Sequence, residues 1–207
     1  MCYTHAMSKI ILIGGAPTAG KTFVAKQLSK ILGLPWISTD TVREQMREIV
    51  RREEYPELFH FFDPPINVEE YFKIHTSKEI VENQNKESKE VWKGIQALIE
   101  NDYVWKSFIV EGVAVLPELV STLSIKDKII APIFLMDEDV GRIHDVVFTR
   151  GLWDDADTYP DSVKDKEVAW VQEFNIWLKK ECEKYDYPIF FRGEEGFNLE
   201  EIMTYLK

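Results

Sequence analysis

The sequence predicts an α/β fold, a five-stranded parallel sheet with helices on both faces. Three observations predict it. Short, nearly continuous apolar runs recur along the chain, at Lys9–Ile13, Phe108–Val110 and Ile129–Met136. A strand apolar on both sides must be covered on both faces, which is the habit of parallel sheets. Stretches with helical spacing separate these runs, and such alternation gives a parallel sheet with helical crossovers.

Lys9–Ile13 ends in Gly14-Gly15 and reads as the first strand. Lys21–Leu32 follows as a helix, with Phe23, Val24, Leu28, Ile31 and Leu32 on one side and Gly33 as its stop. Pro35–Ser38 is a second short strand, and Thr39 or Asp40 can cap the next helix, which extends to about Arg52. The segment Tyr55–Asn67 is aromatic and contains Pro56, Pro64 and Pro65, so it predicts a turn-rich excursion. Its Leu58, Phe59 and Phe62 suit packing on the sheet better than forming a pocket wall. Asn67 and Glu70 resemble a capping box, and a long helical region follows. Its middle, Ser77–Glu90, is almost wholly polar and predicts an exposed or bent stretch, whereas Val91, Trp92, Ile95, Leu98 and Ile99 predict a packed end. Phe108–Val110 is the third strand and Ile129–Met136 the fourth, interrupted near its start by Pro132. A short helix carrying Arg142 comes next. Ser162 to about Lys184 is a strong helix, with Val168, Val171, Phe174, Leu178 and Tyr185 on one face. Pro188–Phe191 is the fifth strand and Asn198–Lys207 a closing helix.

A chain of 207 residues, 45% hydrophobic and 29% charged, suits a single domain with one sizeable core. Lys plus Arg number 25 against 36 Asp plus Glu, a net charge of −11. That balance argues against general binding to nucleic acid or to anionic membrane surfaces. Cys2 and Cys182 supply neither a disulfide framework nor a CxxC site, and the four histidines have no ligand spacing. No run approaches the length of a membrane span. The N-terminus lacks the charged and apolar regions of a secretory signal, so a cytoplasmic location is expected. Oligomeric state is not legible.

One motif carries chemistry. Gly15-Ala16-Pro17-Thr18-Ala19-Gly20-Lys21-Thr22 fits G-x-x-x-x-G-K-[ST] at every fixed position, after an apolar strand and at the opening of a helix. Glycines let backbone N–H groups converge on phosphate oxygens, and the helix turns its positive end towards the same anion. Lys21 can reach the β- and γ-phosphates, and the Thr22 hydroxyl can ligate Mg²⁺. ATP with Mg²⁺ is the expected ligand pair. The Asn-Lys-x-Asp guanine reader is missing, because Asn85-Lys86-Glu87-Ser88 lacks the aspartate and lies in the polar helical region. Two acidic strand ends compete to be the second carboxylate of the nucleotide site, Glu111 after Phe108–Val110 and Asp137-Glu138 after Ile133–Met136. The latter resembles AAA-type ATPases, yet Asp137-Glu138-Asp139 reads better as a helix cap. An ATPase or nucleotide-dependent regulator without a small acceptor therefore stands as the alternative activity.

The segments Gly14–Thr22, Ile37-Ser38-Thr39-Asp40-Thr41-Val42-Arg43 and Val110-Glu111-Gly112-Val113, with Pro117, resemble small P-loop kinases of the 2-phosphoglycerate kinase type. Chloramphenicol phosphotransferases, zeta toxins, gluconate kinases and shikimate kinases are more distant members of that architecture. The resemblance implies a three-layer P-loop NTPase fold with strand order 2-3-1-4-5, a substrate-binding helical insert at about 55–102 and a lid at about 142–162. It implies phosphotransfer from ATP to a hydroxyl of a small molecule. Asp40 then takes or orients the hydroxyl proton, Arg43 grips an anionic acceptor, Glu111 holds Mg²⁺ through water or acts as a base, and Arg150 contacts the γ-phosphate. Arg192, just after the last strand, could touch the adenine or its ribose. Arg43, Arg47 and Arg51 share one helix face. They either line the acceptor cleft or pair with Glu44, Glu48 and Glu54. The lid is acidic at Asp154, Asp155 and Asp157 and carries only Arg142 and Arg150, a departure from the family pattern.

Overall fold

The computed structural model describes residues 8–62, 68–101, 105–151 and 160–207, without the side chains of 60–62 and 68. The sheet consists of β1 (Ser8–Gly15), β2 (Trp36–Ser38), β3 (Phe108–Glu111), β4 (Lys128–Met136) and β5 (Ile189–Phe191). All pairings are parallel and the order is β2-β3-β1-β4-β5, as the kinase resemblance implies. β1 is central, pairing Ile13 with Glu111 on one side and with Ile133 on the other. Ile10, Ile11, Leu12 and Ile13 have no exposed surface. Alternate residues face opposite sides of a strand, and the two cores follow that period. Ile10 and Leu12 belong to the larger cluster, with α3 (Val68–Ile74), α4 (Ser77–Glu100), α6 (Val140–Arg150) and α7 (Asp161–Tyr185). Ile11 and Ile13 belong to the other cluster, with α1 (Lys21–Leu32) and α8 (Leu199–Tyr205).

Several boundaries differ from expectation. α2 (Thr39–Ile49) ends before Arg52, and its N-cap is Ser38, whose side chain accepts from the Asp40 N–H. β4 is continuous through Pro132, which pairs in register with Leu12. Phe134 donates its N–H to Pro188 on the β5 side. Residue 132 has the same parity, so its missing donor points beyond the start of β5, where no ladder bond is lost. The helical region after the aromatic excursion is two helices, not one. Thr76 and Glu79 form the capping box that starts α4, whereas Asn67 lies outside the described residues. The predicted exposed or bent middle of α4 is instead a buried part of one 24-residue helix, at Asn83, Gln84, Glu87 and Ser88. Polar residues there read as solvated, but Asn83 donates to Tyr71, Glu87 pairs with Arg43 and Arg47, and Gln84 lines a cavity. A 3-10 helix covers Pro56–Phe62, with Leu58 wholly buried in the larger core and Phe59 packed against it. The short α5 (Pro117–Val120) had no expected counterpart. No helix among the described residues is long and apolar enough to cross a membrane.

Candidate active site

Three strand ends, of β1, β2 and β3, and side chains of α2, α4, α6 and α7 build the site. β1 runs into the loop Ala16–Gly20, and Gly20 caps α1 in the left-handed region at φ 84°. Lys21 and Thr22 therefore sit in the first turn of α1, at its positive end. The Lys21 ammonium is buried and donates to the Ala16 carbonyl at 2.7 Å. Burial lowers its pKa, opposed by the carboxylates of Glu111 and Asp40. The Thr22 hydroxyl donates to Glu111 Oε1 at 3.2 Å.

Glu111 is the last residue of β3, flanked in register by Ile13 and Ser38. It is 2% exposed. Burial raises its pKa, while Lys21 and the hydroxyls of Thr22 and Ser38 pull it down. Gly112 follows at φ 149°, and a Cβ there would lie 1.8 Å from Thr39 Oγ1. Only glycine lets the start of α2 come this close to the end of β3.

With Ser38 as the cap, the Asp40 side chain is not spent on the α2 N-terminus. It reaches Arg43 at 3.2 Å. Arg43 also pairs with Glu44 at 3.0 Å and with Glu87 of α4 at 3.6 Å. Arg47 binds Glu44 at 2.8 Å, the Leu58 carbonyl at 2.7 Å, and Glu87. Glu87 is 1% exposed, and Gln84 Nε2 donates to it at 3.3 Å. Burial raises the Glu87 pKa, against the pull of Arg43 and Arg47. The arginine face of α2 thus splits three ways. Arg43 lines a cavity, Arg47 ties α2 to α4, and Arg51 stays exposed beside Glu54.

One cavity of about 570 Å³ joins these groups. Pro17, Thr18, Gly20, Lys21 and Thr22 form its phosphate-loop wall. Asp40, Arg43 and Gln84 form a second wall, and Glu111, Arg150 and Trp170 also line the cavity. Arg150, the last residue of α6, also meets the Gly151 carbonyl at 3.3 Å. The remainder of the expected lid, residues 152–159, lies outside the described residues.

Arg192 follows β5 and contacts Asp137 at 3.5 Å, outside the cavity wall. Arg142 makes two bonds to the same Asp137, at 2.8 and 3.1 Å. Asp139 caps α6 through the Arg142 N–H, and Glu138 pairs with Lys179. The acidic end of β4 is therefore a cap and an ion-pair cluster, while Glu111 is the carboxylate beside Thr22. Among the described residues, no group of three or more His, Cys, Asp or Glu side chains is placed to hold a metal ion.

Gln84, Glu87, Val113 and Trp170 were not singled out from the sequence. A signal existed for the first two, since Gln84, Glu87 and Ser88 follow helical spacing and form a polar stripe.

The chain matches no protein-family model. Curated proteins named 2-phosphoglycerate kinase are similar to it. The one from Methanocaldococcus jannaschii is 29% identical over 121 residues, 58% of this chain and 37% of that protein. The one from Methanothermobacter thermautotrophicus is 29% identical over 160 residues, 70% of this chain and 48% of that protein. The one from Methanopyrus kandleri is 23% identical over 95% of this chain and 60% of that protein. The chain thus spans between 37 and 60% of the length of these relatives. Among solved structures, shikimate kinase from Acinetobacter baumannii in complex with shikimate superposes with a TM-score of 0.52 at 13% identity, covering 97% of this chain and 93% of that one. Shikimate kinase from Aquifex aeolicus gives 0.51 at 14% identity, covering 95% of each. The fold is that of the P-loop kinases. In a P-loop kinase fold ligands enter at the carboxyl ends of the strands, and the cavity lies at those ends of β1, β2 and β3.

Proposed function

We propose that the chain is an ATP- and Mg²⁺-dependent phosphotransferase that moves the γ-phosphoryl group to a hydroxyl of a small molecule. The observation that carries this reading is that one cavity is lined by the phosphate loop with Lys21 and also by Asp40 and Glu111. The likeness to proteins named 2-phosphoglycerate kinase supports it.

Lys21 and the loop amides bind the phosphate chain. Desolvation makes the Lys21 charge act at close quarters instead of through water. Thr22 and Glu111 suit Mg²⁺, because a hydroxyl oxygen and a buried carboxylate already meet there. Mg²⁺ bound there would supply charge neutralisation on the phosphate oxygens. Asp40 accepts the proton of the acceptor hydroxyl, and Arg43 beside it fixes its orientation. In this reading Arg150 stabilises the transferring group, 142–162 serves as the lid and 55–102 as the acceptor-binding insert. Arg192 would reach the adenine or ribose only on leaving Asp137.

The test is ADP release from Mg-ATP, with and without pools of hydroxylated metabolites, using Lys21→Ala as the blank. One pool should stimulate release, and Asp40→Asn should abolish that stimulation while ATP still binds. Steady release indifferent to every pool, yet lost in Lys21→Ala, would overturn the reading in favour of an ATPase.

A further inference from the structure

The charges of the acceptor wall are already spent. Arg43 has Asp40, Glu44 and Glu87 around it, and Arg47 has Glu44 and Glu87. Three carboxylates thus surround two guanidiniums, an excess of one negative charge. Protonation of Glu87 would bring that cluster to zero and never to a surplus of positive charge. The other cations of the cavity wall are Lys21 and Arg150, which lie close enough to repel each other and on the phosphotransferase reading serve the triphosphate. All 25 Lys and Arg side chains of this sequence fall within the described residues.

Resting on the phosphotransferase reading, we infer that the acceptor is an uncharged hydroxylated molecule and not a phosphate-bearing one. A phosphorylated acceptor would have to draw Arg43 from Glu87, leaving a carboxylate at 1% exposure with less compensation. It would also approach Asp40 and the bound triphosphate, both negative. The remaining groups suit neutral hydroxyls. Asp40 accepts, Arg43 donates, and Gln84 turns its amide nitrogen to Glu87 so that its carbonyl oxygen is the group left for a ligand. Val113 and Trp170 add apolar surface to the same cavity. This acceptor class differs from that in the name of the curated relatives.

The experiment uses matched acceptor pairs with Mg-ATP: a sugar and its phosphate ester, a nucleoside and its monophosphate, and glycerol against both glycerol phosphate and 2-phosphoglycerate. The readout is kcat/KM for ADP release above the Lys21→Ala blank. The unphosphorylated member of the accepted pair should be preferred by about tenfold or more. Preference for the phosphorylated member would overturn this inference and leave the phosphotransferase reading intact. No stimulation by any pair would overturn both. Glu87→Gln removes the buried negative charge and should narrow the discrimination. Glu44→Gln, at an exposed position, should narrow it by a smaller factor and keeps the test open if Glu87→Gln does not fold. Discrimination unchanged in a folded Glu44→Gln protein would also overturn the inference.

Discussion

The two walls of the cavity are built by different means. The phosphate wall is one contiguous segment, Gly15–Thr22, set by the register of β1 and the start of α1. Its ligating groups are mostly backbone, and the strand–turn–helix path alone positions them. The acceptor wall is gathered from α2, α4 and α7. Side-chain ion pairs hold it, centred on Glu87 with Arg43 and Arg47. The difference teaches that a change in the first wall should cost mainly function, and one in the second both function and stability. Backbone geometry survives the loss of one side chain, whereas a buried charge cluster does not survive the loss of one partner.

The largest effect should come from Lys21→Ala, which removes a desolvated cation facing the phosphates. Turnover should fall by about 10³-fold, measured as ADP release. The melting temperature should drop less than in Arg47→Met, because burial costs Lys21 enough to lower its pKa, although buried Glu111 loses one compensating cation. A large loss of stability here would break the comparison.

Arg47→Met tests the other wall. Arg47 does not line the cavity, yet it holds Glu87 and the Leu58 carbonyl. Losing it strips a buried carboxylate of one partner and should cost about 3 kcal/mol in denaturant unfolding. ATP binding, measured by calorimetry, should stay within about twofold, since additivity holds between groups with no shared partner.

The same difference explains what was legible in advance. Gly15–Thr22 could be read directly, because strand, turn and helix start are local, and α1 fell at Lys21–Leu32 as expected. Asp40 and Glu111 were legible as carboxylates at strand ends. Glu87 was not, because its partners lie 40 and 44 positions upstream and a polar helix segment reads as solvated. The strand order also needed the kinase resemblance, since no local pattern distinguishes which strand lies beside β1. Asp137-Glu138 could be read as a cap but not settled, for the converse reason. Capping and metal binding call for the same residue types, and only the pairing of Asp137 with Arg142 tells them apart.

Glu167 on α7 sharpens the comparison, as a buried carboxyl without a guanidinium beside it. It is wholly buried, and neither of its oxygens has a hydrogen-bond partner among the described residues. Burial pushes its pKa from 4.5 up to about 7, with Lys164 pulling weakly the other way. The folded state therefore holds this proton more tightly than the unfolded chain. Stability contributed by the neutral form is fully present below pH 4.5 and is lost as pH rises through about 7. The loss should approach about 3 kcal/mol. Glu167→Gln should flatten this dependence in unfolding measured at pH 5, 6, 7 and 8. A slope identical to that of the parent protein would show that Glu167 is not its source.

The smallest effects come from two glycines with positive φ and different surroundings. Gly112 and Gly33 both have positive φ, at 149° and 65°. Around Gly33, which ends α1, a Cβ would meet nothing within 4 Å. Gly33→Ala should therefore cost only the backbone term, about 1 kcal/mol. Gly112→Ala adds a clash with Thr39, the first residue of α2, and should cost about 2 to 3 kcal/mol. The excess has a functional signature as well. Pushing Thr39 away displaces Asp40, so turnover should fall in Gly112→Ala and not in Gly33→Ala. Gly112 is thus where the phosphate wall, through Glu111, is locked to the acceptor wall, through α2. Equal melting temperatures and equal turnover in the two variants would show that α2 yields freely, and that the two walls are positioned independently of each other.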